Sequence, residues 1–405
     1  MPSPGRPNGE GFPTLTPEPE LSLPGGTFTG PITVEITASV SGREIRYTTD
    51  GSIPDAESSL YEGALEIDAP TRLMAREFAE GALPGRIAEE TYVIMQPELA
   101  EFDSNLPLVV VNTFGTTPNT VDWTNCHLSF YDRGIDGRSR LSDEPVFSGH
   151  GGIEIRGSSS VDRPKKSYKF EIWDEEGEDR DESLFGLPSD SDWILYGPYN
   201  FDPALIRNAF IYTLSNRIER WAARTFFVEV FLNTASREMI GPVPRGNYAG
   251  VYVLMEKIKR HPARVNIARL GPDDVSEPAV SGGYILKIDR PDPGDNGFQG
   301  GGVALRYVDP KEEVIRRSSE QTAWIRDFMN GMRSSLTSSD PDTGYPSWID
   351  VDSWIDHHLL NVLAQNVDAL RLSGYMYKNR EGLLEICLLY TSPSPRDGLL
   401  SRMPS

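Results

Sequence analysis

Cysteine is almost absent from this chain of 405 residues. The two that occur, Cys126 and Cys387, form no CxxC pair and are too few for a disulfide framework. The chain therefore either folds in a reducing compartment or avoids cysteine outside the cell. Long apolar runs are missing as well, since no stretch of about 18 apolar residues occurs. We expect no membrane span.

Basic residues are also scarce, because 39 lysines and arginines face 60 acidic residues and the net charge is −21. This balance argues against nucleic acid or an anionic membrane as a partner, since both require a basic surface. It favours basic partners. The densest acidic run, "DEEGEDRDE" at 174–182, predicts a solvated hairpin loop; the alternative interpretation is a docking patch for a Lys/Arg-rich substrate.

The beginning of the chain has no apolar signal core. Residues 1–26 are rich in Pro and Gly, which predicts a flexible linker. We expect the native N-terminus, with any signal peptide, to lie upstream, and the location to be extracellular or at the cell surface. Residues 27–96 form short alternating runs separated by turn residues, a pattern typical of a small antiparallel β-sandwich.

Two consecutive stretches of this region are informative: "IRYTTDGSIPDAESSLYEG" and "TRLMAREFAEGALPGRIAEETYVI". They resemble the chitobiase/β-hexosaminidase C-terminal module of bacterial exoproteins. The resemblance implies a spacer or accessory domain. We favour the spacer, and contact with a glycan or cell wall is the alternative.

After a second short linker at 96–104, residues 104–386 change character. Apolar strand patterns come first, beginning with "LPLVVVNT", and most helical patterns follow. This order predicts an α+β fold rather than an alternating βαβ sheet. The helix candidates are "PALIRNAFIYTLSNRIER", "SEQTAWIRDFMNGMRSSL" and "IDVDSWIDHHLLNVLAQN".

Four stretches of this region share a family pattern, and they are "IEIRGSSSVDRPKKSYKFEI", "FDPALIRNAFIYTLSNRI", "NYAGVYVLMEKI" and "WIDHHLLNVLAQNVDALRLSGYMYKNREG". Together they resemble the CotH family of spore-coat-type atypical kinases. The resemblance implies a two-lobed protein-kinase-like domain that binds ATP with Mg²⁺ or Mn²⁺. It also implies transfer of the γ-phosphoryl group to Ser or Thr of a protein, which the charge suggests is basic.

The first stretch supplies candidate phosphate ligands. Arg156 and Ser158 belong to a small-residue turn, "RGSSS", where amides and hydroxyls can approach phosphate; the family usually has Asn at Ser158. A lysine on the following strand would bind the α- and β-phosphates as a point charge. The family pattern favours Lys166, with Lys169 second. The alternative is that these lysines only solubilise an edge strand.

Two further charged residues have apolar neighbours. Glu256 ends an apolar run and needs a cation if it is buried; in kinases that cation is the cleft lysine, here Lys166. Arg207 is flanked by apolar residues on a predicted helix, which indicates either a buried carboxylate or a phosphate as its partner. Both residues are candidates for the nucleotide site.

The helix that ends near 366 is followed by Asp368, whose negative charge opposes the helix dipole. A bound Mg²⁺ would remove that conflict, whereas a cap or turn is the alternative role. The family resemblance makes Asp368 the catalytic base and a metal ligand. Five residues later, where protein kinases have a metal-binding Asn, this chain has Ser373, a weaker ligand.

The family's second metal-binding carboxylate is expected beyond Ile386, but residues 387–405 resemble read-through of adapter DNA. We therefore expect a truncated copy with a non-native tail, exposed apolar surface, poor solubility and no activity. The alternative function is a non-catalytic surface or coat-assembly module. Carbohydrate hydrolysis is a third, for which no convincing carboxylate pair is present.

Overall fold

The computed structural model describes residues 14–157, 161–199, 202, 204–235, 240–241, 247–290, 295–315, 318–366, 372 and 374–387. This part of the chain is mostly β-structure with three helices of more than ten residues. It divides into two compact units. The first unit comprises 1–154, 171–180 and 228–251, and the second comprises 155–170, 181–227 and 252–405.

The first unit begins with nine short strands. They are β1 (Glu20–Leu21), β2 (Gly26–Thr29), β3 (Ile32–Val34), β4 (Ile36–Thr37), β5 (Glu44–Thr48), β6 (Ser59–Leu60), β7 (Leu65–Ile67), β8 (Thr71–Phe78) and β9 (Ala88–Met95). The main sheet has the order β2-β9-β8-β5-β6, and β3-β7 and β1-β4 form separate pairs. Alternating residues such as Val34, Leu73 and Tyr92 fill a common core. The all-β prediction for this region is confirmed, except that β2 pairs with β9 in parallel.

Both segments predicted as linkers contribute to this unit where they are described. Thr16 is buried, and its hydroxyl donates to the carbonyl of Glu77 at 2.8 Å. Strand β1 also lies before residue 27 and pairs with β4. Leu99, in the second predicted linker, is 1 % exposed and packs on Met95. The linker prediction is therefore wrong for 14–26 and for the segment around Leu99, because composition alone does not reveal long-range pairing.

Nine strands follow: β10 (Asp103–Ser104), β11 (Leu108–Asn112), β12 (Thr124–Tyr131), β13 (Ser139–Arg140), β14 (Phe147–Arg156), β15 (Ser167–Ile172), β16 (Asp192–Tyr196), β17 (Thr225–Asn233) and β18 (Tyr248–Glu256). Seven of them close into a barrel in the order β11-β12-β14-β15-β16-β18-β17. The β11–β17 pair is parallel, whereas β11–β12, β12–β14 and β16–β18 are antiparallel.

The last strands belong to the second unit: β19 (Tyr284–Ile288), β20 (Gly297–Gly300), β21 (Val303–Asp309), β22 (Gly374–Lys378) and β23 (Leu384–Cys387). They form a sheet in the order β20-β21-β19-β22-β23. The helices of this unit are α1 (Arg207–Arg217), α2 (Glu312–Ile315), α3 (Ser319–Ser335) and α4 (Val351–Ala364). Helix α3 buries Ile325 and Met329 in one core with sheet residues such as Leu286 and Leu305.

The three long helices lie where the periodicity predicts them. Helix α4 begins after Asp350, whose Oδ1 accepts a hydrogen bond from the amide of Ser353 at 2.7 Å, as expected for an acidic N-cap. Helix α1 begins at Arg207, four residues later than the predicted start at Pro203. Leu205 has a left-handed backbone with φ of 58°, which no helix can continue through.

Both cysteines are buried, with Cys126 2 % and Cys387 3 % exposed. Cys387, predicted to begin a non-native tail, ends strand β23; the rest of that tail, 388–405, lies outside the described residues. Among the helices the structure describes, none is long and apolar enough to span a membrane.

Candidate functional site

Glu256 is a buried carboxylate at the end of β18, and its side chain has no exposed area. Arg224 donates two side-chain hydrogen bonds to this carboxylate, from Nε to Oε2 at 2.8 Å and from Nη2 to Oε1 at 2.6 Å. The backbone amide of Arg224 also donates to Oε2, and Arg264 Nε lies 3.5 Å from Oε1. The sequence correctly predicts a buried glutamate that needs a cation.

The prediction that Lys166 supplies the cation for Glu256 is wrong. Lys166 instead donates from Nζ to the backbone carbonyl of Val161. Two arginines supply the positive charge: Arg224 meets the carboxylate with two parallel hydrogen bonds, and Arg264 adds a second guanidinium 3.5 Å away. The kinase-type lysine–glutamate pair is therefore not formed by these two residues.

Glu256 belongs to a larger network of charges. Lys259 Nζ contacts Asp190 at 2.8 Å and Asp192 at 2.6 Å, and Lys257 Nζ contacts Asp192 at 2.5 Å. Arg264, whose side chain has no exposed area, lies 3.3 Å from Asp190. Burial alone would raise the pKa of Asp192, but the two ammonium groups outweigh it and hold that pKa well below its usual range.

The candidate lysines lie at the start of β15. Lys166 precedes the strand and is partly buried, whereas Lys169 is within it. Tyr168 and Phe170 are buried, and so is Ser167. The neighbouring Lys165 lies over the ring of Tyr252, with Nζ 4.6 Å from its centroid. Burial lowers the pKa of Lys165.

Arg207 is the first residue of α1 and has a buried carboxylate as a neighbour. Asp202 is completely buried; its Oδ2 accepts from the backbone amide of Arg207 at 2.9 Å, and its Oδ1 lies 3.5 Å from Nε. Of the two partners predicted for Arg207, the carboxylate is observed. Asp202 also compensates the amides at the start of the helix.

A second group of charges surrounds Tyr375 in β22. Burial raises the pKa of Tyr375 to about 12, and the positive charges of Lys287 and Arg156 oppose that rise. Lys287 pairs with Tyr375 in the strand register and is 8 % exposed. Its Nζ contacts Asp295 at 2.8 Å. Arg156, a predicted phosphate ligand, thus shares its surroundings with a buried lysine.

This group adjoins the segment that contains the predicted catalytic residue. Strand β22 begins at Gly374, directly after residue 373, and Gly374 pairs with Ile288. Asp368, Ser373 and Ser158 themselves lie outside the described residues. Within the described ranges, no group of three or more His, Cys, Asp or Glu side chains is arranged to hold a metal ion.

Sequence reasoning missed the carboxylates and the buried lysine around these residues. Lys287 stands alone among apolar residues in "YILKI", which is the same signal that identified Glu256. Asp190 and Asp192 alternate with serines in "SDSDW", and only their pairing with Lys257 and Lys259, more than 60 residues away, marks them as a network. Such pairing is not encoded in local patterns.

Comparison with known protein families gives two matches. A model of the chitobiase/beta-hexosaminidase C-terminal domain matches residues 23–88, and a model of the CotH kinase protein matches residues 153–389. Both resemblances, and their order along the chain, are confirmed. A search of curated proteins gave no match. The CotH kinase protein model matches more than half of the chain, and the chain therefore belongs to the CotH kinase protein family.

Proposed function

We propose that this protein is an ATP-dependent atypical protein kinase with a two-lobed catalytic domain that phosphorylates Ser or Thr of a basic protein. The observation that carries the proposal is the CotH kinase match over 153–389, which contains all the predicted nucleotide-site residues. A location outside the cell or on its surface is part of the same proposal. The presence of the chitobiase-type module in the same chain supports it.

The described residues supply suitable chemistry for phosphate. Arg156 and Lys287 both act on Tyr375, immediately after the segment that contains Asp368; Asp289 acts there with the opposite sign, and Lys287 is paired with Asp295. Cations that are partly desolvated bind phosphoryl oxygens strongly. In this mechanism, Arg156, Lys166 or Lys169, and Lys287 hold the phosphates and neutralise developing charge.

Asp368 orients the substrate hydroxyl and accepts its proton. ATP supplies the phosphoryl group, and Mg²⁺ or Mn²⁺, held by Asp368 and Ser373, would neutralise its negative charge. Glu256 acts through its arginine pairs, which fix the end of β18, rather than through a lysine.

Because the 405-residue chain is expected to be inactive, the test uses a protein whose reading frame is continued past Ile386 in the source DNA. It is given γ-labelled ATP, Mg²⁺ or Mn²⁺ and a Ser-rich peptide containing Lys and Arg. Binding of a fluorescent ATP analogue is measured in parallel. We expect incorporation of label into the peptide, and we expect Asp368→Asn to reduce it by about 100-fold or more while ATP still binds. Lys287→Met should weaken ATP binding, whereas Lys311→Met, a change at an exposed lysine, should not.

Equal incorporation by the protein and Asp368→Asn would remove Asp368 from the mechanism. Absence of both incorporation and ATP binding would exclude the kinase proposal for this chain. ATP binding without incorporation would support the second candidate below.

The second candidate is a non-catalytic surface or coat-assembly module. One observation favours it: Glu256 is paired with Arg224 and Arg264, so the lysine–glutamate pair on which protein kinases depend is missing between Glu256 and Lys166.

A further inference from the structure

The first unit contains a cavity of about 260 Å³ that the kinase chemistry does not use. Arg72 of β8 lines it together with Asn125 of β12, His150 of β14 and three residues from loops, Phe114, Trp173 and Asp174. Its volume lies just below the roughly 300–1,000 Å³ of typical small-molecule sites. It therefore suits a ligand about the size of one sugar ring.

Two aromatic side chains form part of its wall. Trp173 packs edge-to-face on Trp123, with centroids 6.3 Å apart. A side chain at Gly152 would lie 2.4 Å from the Trp173 ring, so this glycine permits the close packing that fixes the indole. Phe114 has a left-handed backbone with φ of 50°, which is strained for an aromatic residue. Strain of this kind tends to occur at binding sites.

Three polar side chains on the wall keep hydrogen-bonding groups unused. Arg72 Nε donates to Glu89 Oε1 at 2.5 Å, and His150 Nε2 lies 2.9 Å from the same oxygen. Glu89 thus holds both side chains in place, but the Arg72 Nη groups and His150 Nδ1 have no partner among the described residues. The exposed side-chain amide of Asn125 also has none within the described part of the chain.

Charges of both signs line the cavity. The guanidinium of Arg72 would repel a cation, and the carboxylates of Asp174, Glu175 and Glu176 would repel an anion. A neutral ligand with many hydroxyl groups avoids both penalties. Its hydroxyls can accept from Arg72 and Asn125 and donate to His150 or a carboxylate, while its C–H face contacts an aromatic ring.

We propose that this cavity, bounded by Arg72, Phe114, Asn125, His150 and Trp173, binds a neutral hexose-based saccharide. The site combines Arg72 of the chitobiase-type module with three residues that precede the CotH match and with Trp173, which lies within that match. It is independent of ATP and of Asp368, so the protein would hold a glycan with one unit whatever the second unit catalyses.

The test is isothermal titration calorimetry of the full chain, without nucleotide, with cellotetraose, chitotetraose and mannotetraose. At least one should bind with a dissociation constant of about 1 mM or lower. Asn125→Ala should weaken binding about two- to tenfold, the effect of one lost hydrogen bond. Phe114→Ala should weaken it further by removing an aromatic face. Asn105→Ala, at an exposed asparagine of the same unit, serves as the matched control.

Unchanged melting temperatures will show that the variants fold. The proposal is overturned if none of the three saccharides binds, or if both cavity variants bind as tightly as the control. It is also overturned if inorganic phosphate or spermidine displaces the saccharide, since that would identify an ion site.

Discussion

Individual charged side chains of the second unit are removed from solvent and depend on each other. Glu256 and Arg264 both have fully buried side chains. The fold, rather than closeness in the sequence, places each of them next to its partners. A charge placed in such surroundings is stable only when it is paired. The need for a cation beside Glu256 can be predicted from its place at the end of an apolar run. The identity of that cation cannot be predicted, since nothing in the local sequence distinguishes Arg224 and Arg264 from surface arginines.

This dependence gives a prediction for Glu256. Glu256→Ala leaves the guanidinium groups of Arg224 and Arg264 without their carboxylate and should lower the free energy of unfolding by about 3–5 kcal/mol. Urea denaturation followed by circular dichroism measures the change. Glu381→Ala, at an exposed glutamate of the same unit, should stay within about 0.5 kcal/mol. Similar midpoints for both variants would show that the pairs contribute no net stability.

At the level of elements, helix α4 has an apolar face that the described structure leaves exposed. Ile355, Leu359, Val362 and Leu363 are 50–61 % exposed, whereas Leu360 on the opposite face is 5 % exposed and packs on α1 and the barrel strands of the second unit. The two histidines of this helix divide in the same way, since His357 is buried and His358 is exposed. Phe210 of α1 and Leu336 after α3 are exposed as well, so α4 is one of several places where this unit exposes apolar side chains.

Substitutions of two adjacent leucines of α4 test whether one face of this helix is exposed and the other packed. Leu359→Ala should reduce self-association, measured by light scattering, and change the free energy of unfolding by less than about 0.5 kcal/mol. Leu360→Ala should instead cost about 2–5 kcal/mol, because it empties part of a packed core. If Leu359→Ala destabilised the protein as much as Leu360→Ala, the exposed face of α4 would be covered in solution.

Element prediction succeeded where one face of a strand or helix is uniformly apolar. The stripe of α3 that contains Ile325 is of this kind, and strand β11, predicted from "LPLVVVNT", is apolar on both faces. Strand β12 was missed, since "TNCHLSFY" mixes polar residues that the fold nevertheless buries, such as His127. The start of α1 was misplaced because Asp202, five residues before Arg207, supplies the cap.

For the molecule as a whole, the closure of the barrel could not be predicted from the sequence. The barrel joins β15 to β16 and β16 to β18, while β17 pairs with β11 more than 100 residues earlier. Each of these pairings depends on residues distant in the chain, so no window of sequence specifies it. The net charge of −21 and the family motifs were, in contrast, readable directly.

Acid should destabilise the whole protein. Burial would raise the pKa of Glu89, but hydrogen bonds from His150 and Arg72 lower it to about 2, from an ordinary value of 4.5. A carboxyl whose pKa falls on folding stabilises the protein above its unfolded pKa and loses that effect as the pH drops through its folded pKa. Stability should therefore fall between about pH 4.5 and 2, and the lowered pKa of Asp192 adds to the loss.

Thermal melts at pH 7, 5, 4 and 3 measure this effect. Glu89→Gln should have a lower melting temperature at pH 7 and a smaller further decrease on acidification than the unaltered protein. Parallel pH profiles for the two proteins would exclude Glu89 as a source of the acid sensitivity.

The burial of both cysteines has a practical consequence for measuring motion in this protein. Burial raises the pKa of Cys126 and Cys387, that of Cys387 to about 12, so neither thiol forms the reactive thiolate near neutral pH. A maleimide dye would therefore attach only to a cysteine introduced on the surface, for example in place of Asn105 or Glu381. Distances between two such dyes, one on each unit, could be followed by energy transfer without removing a native residue.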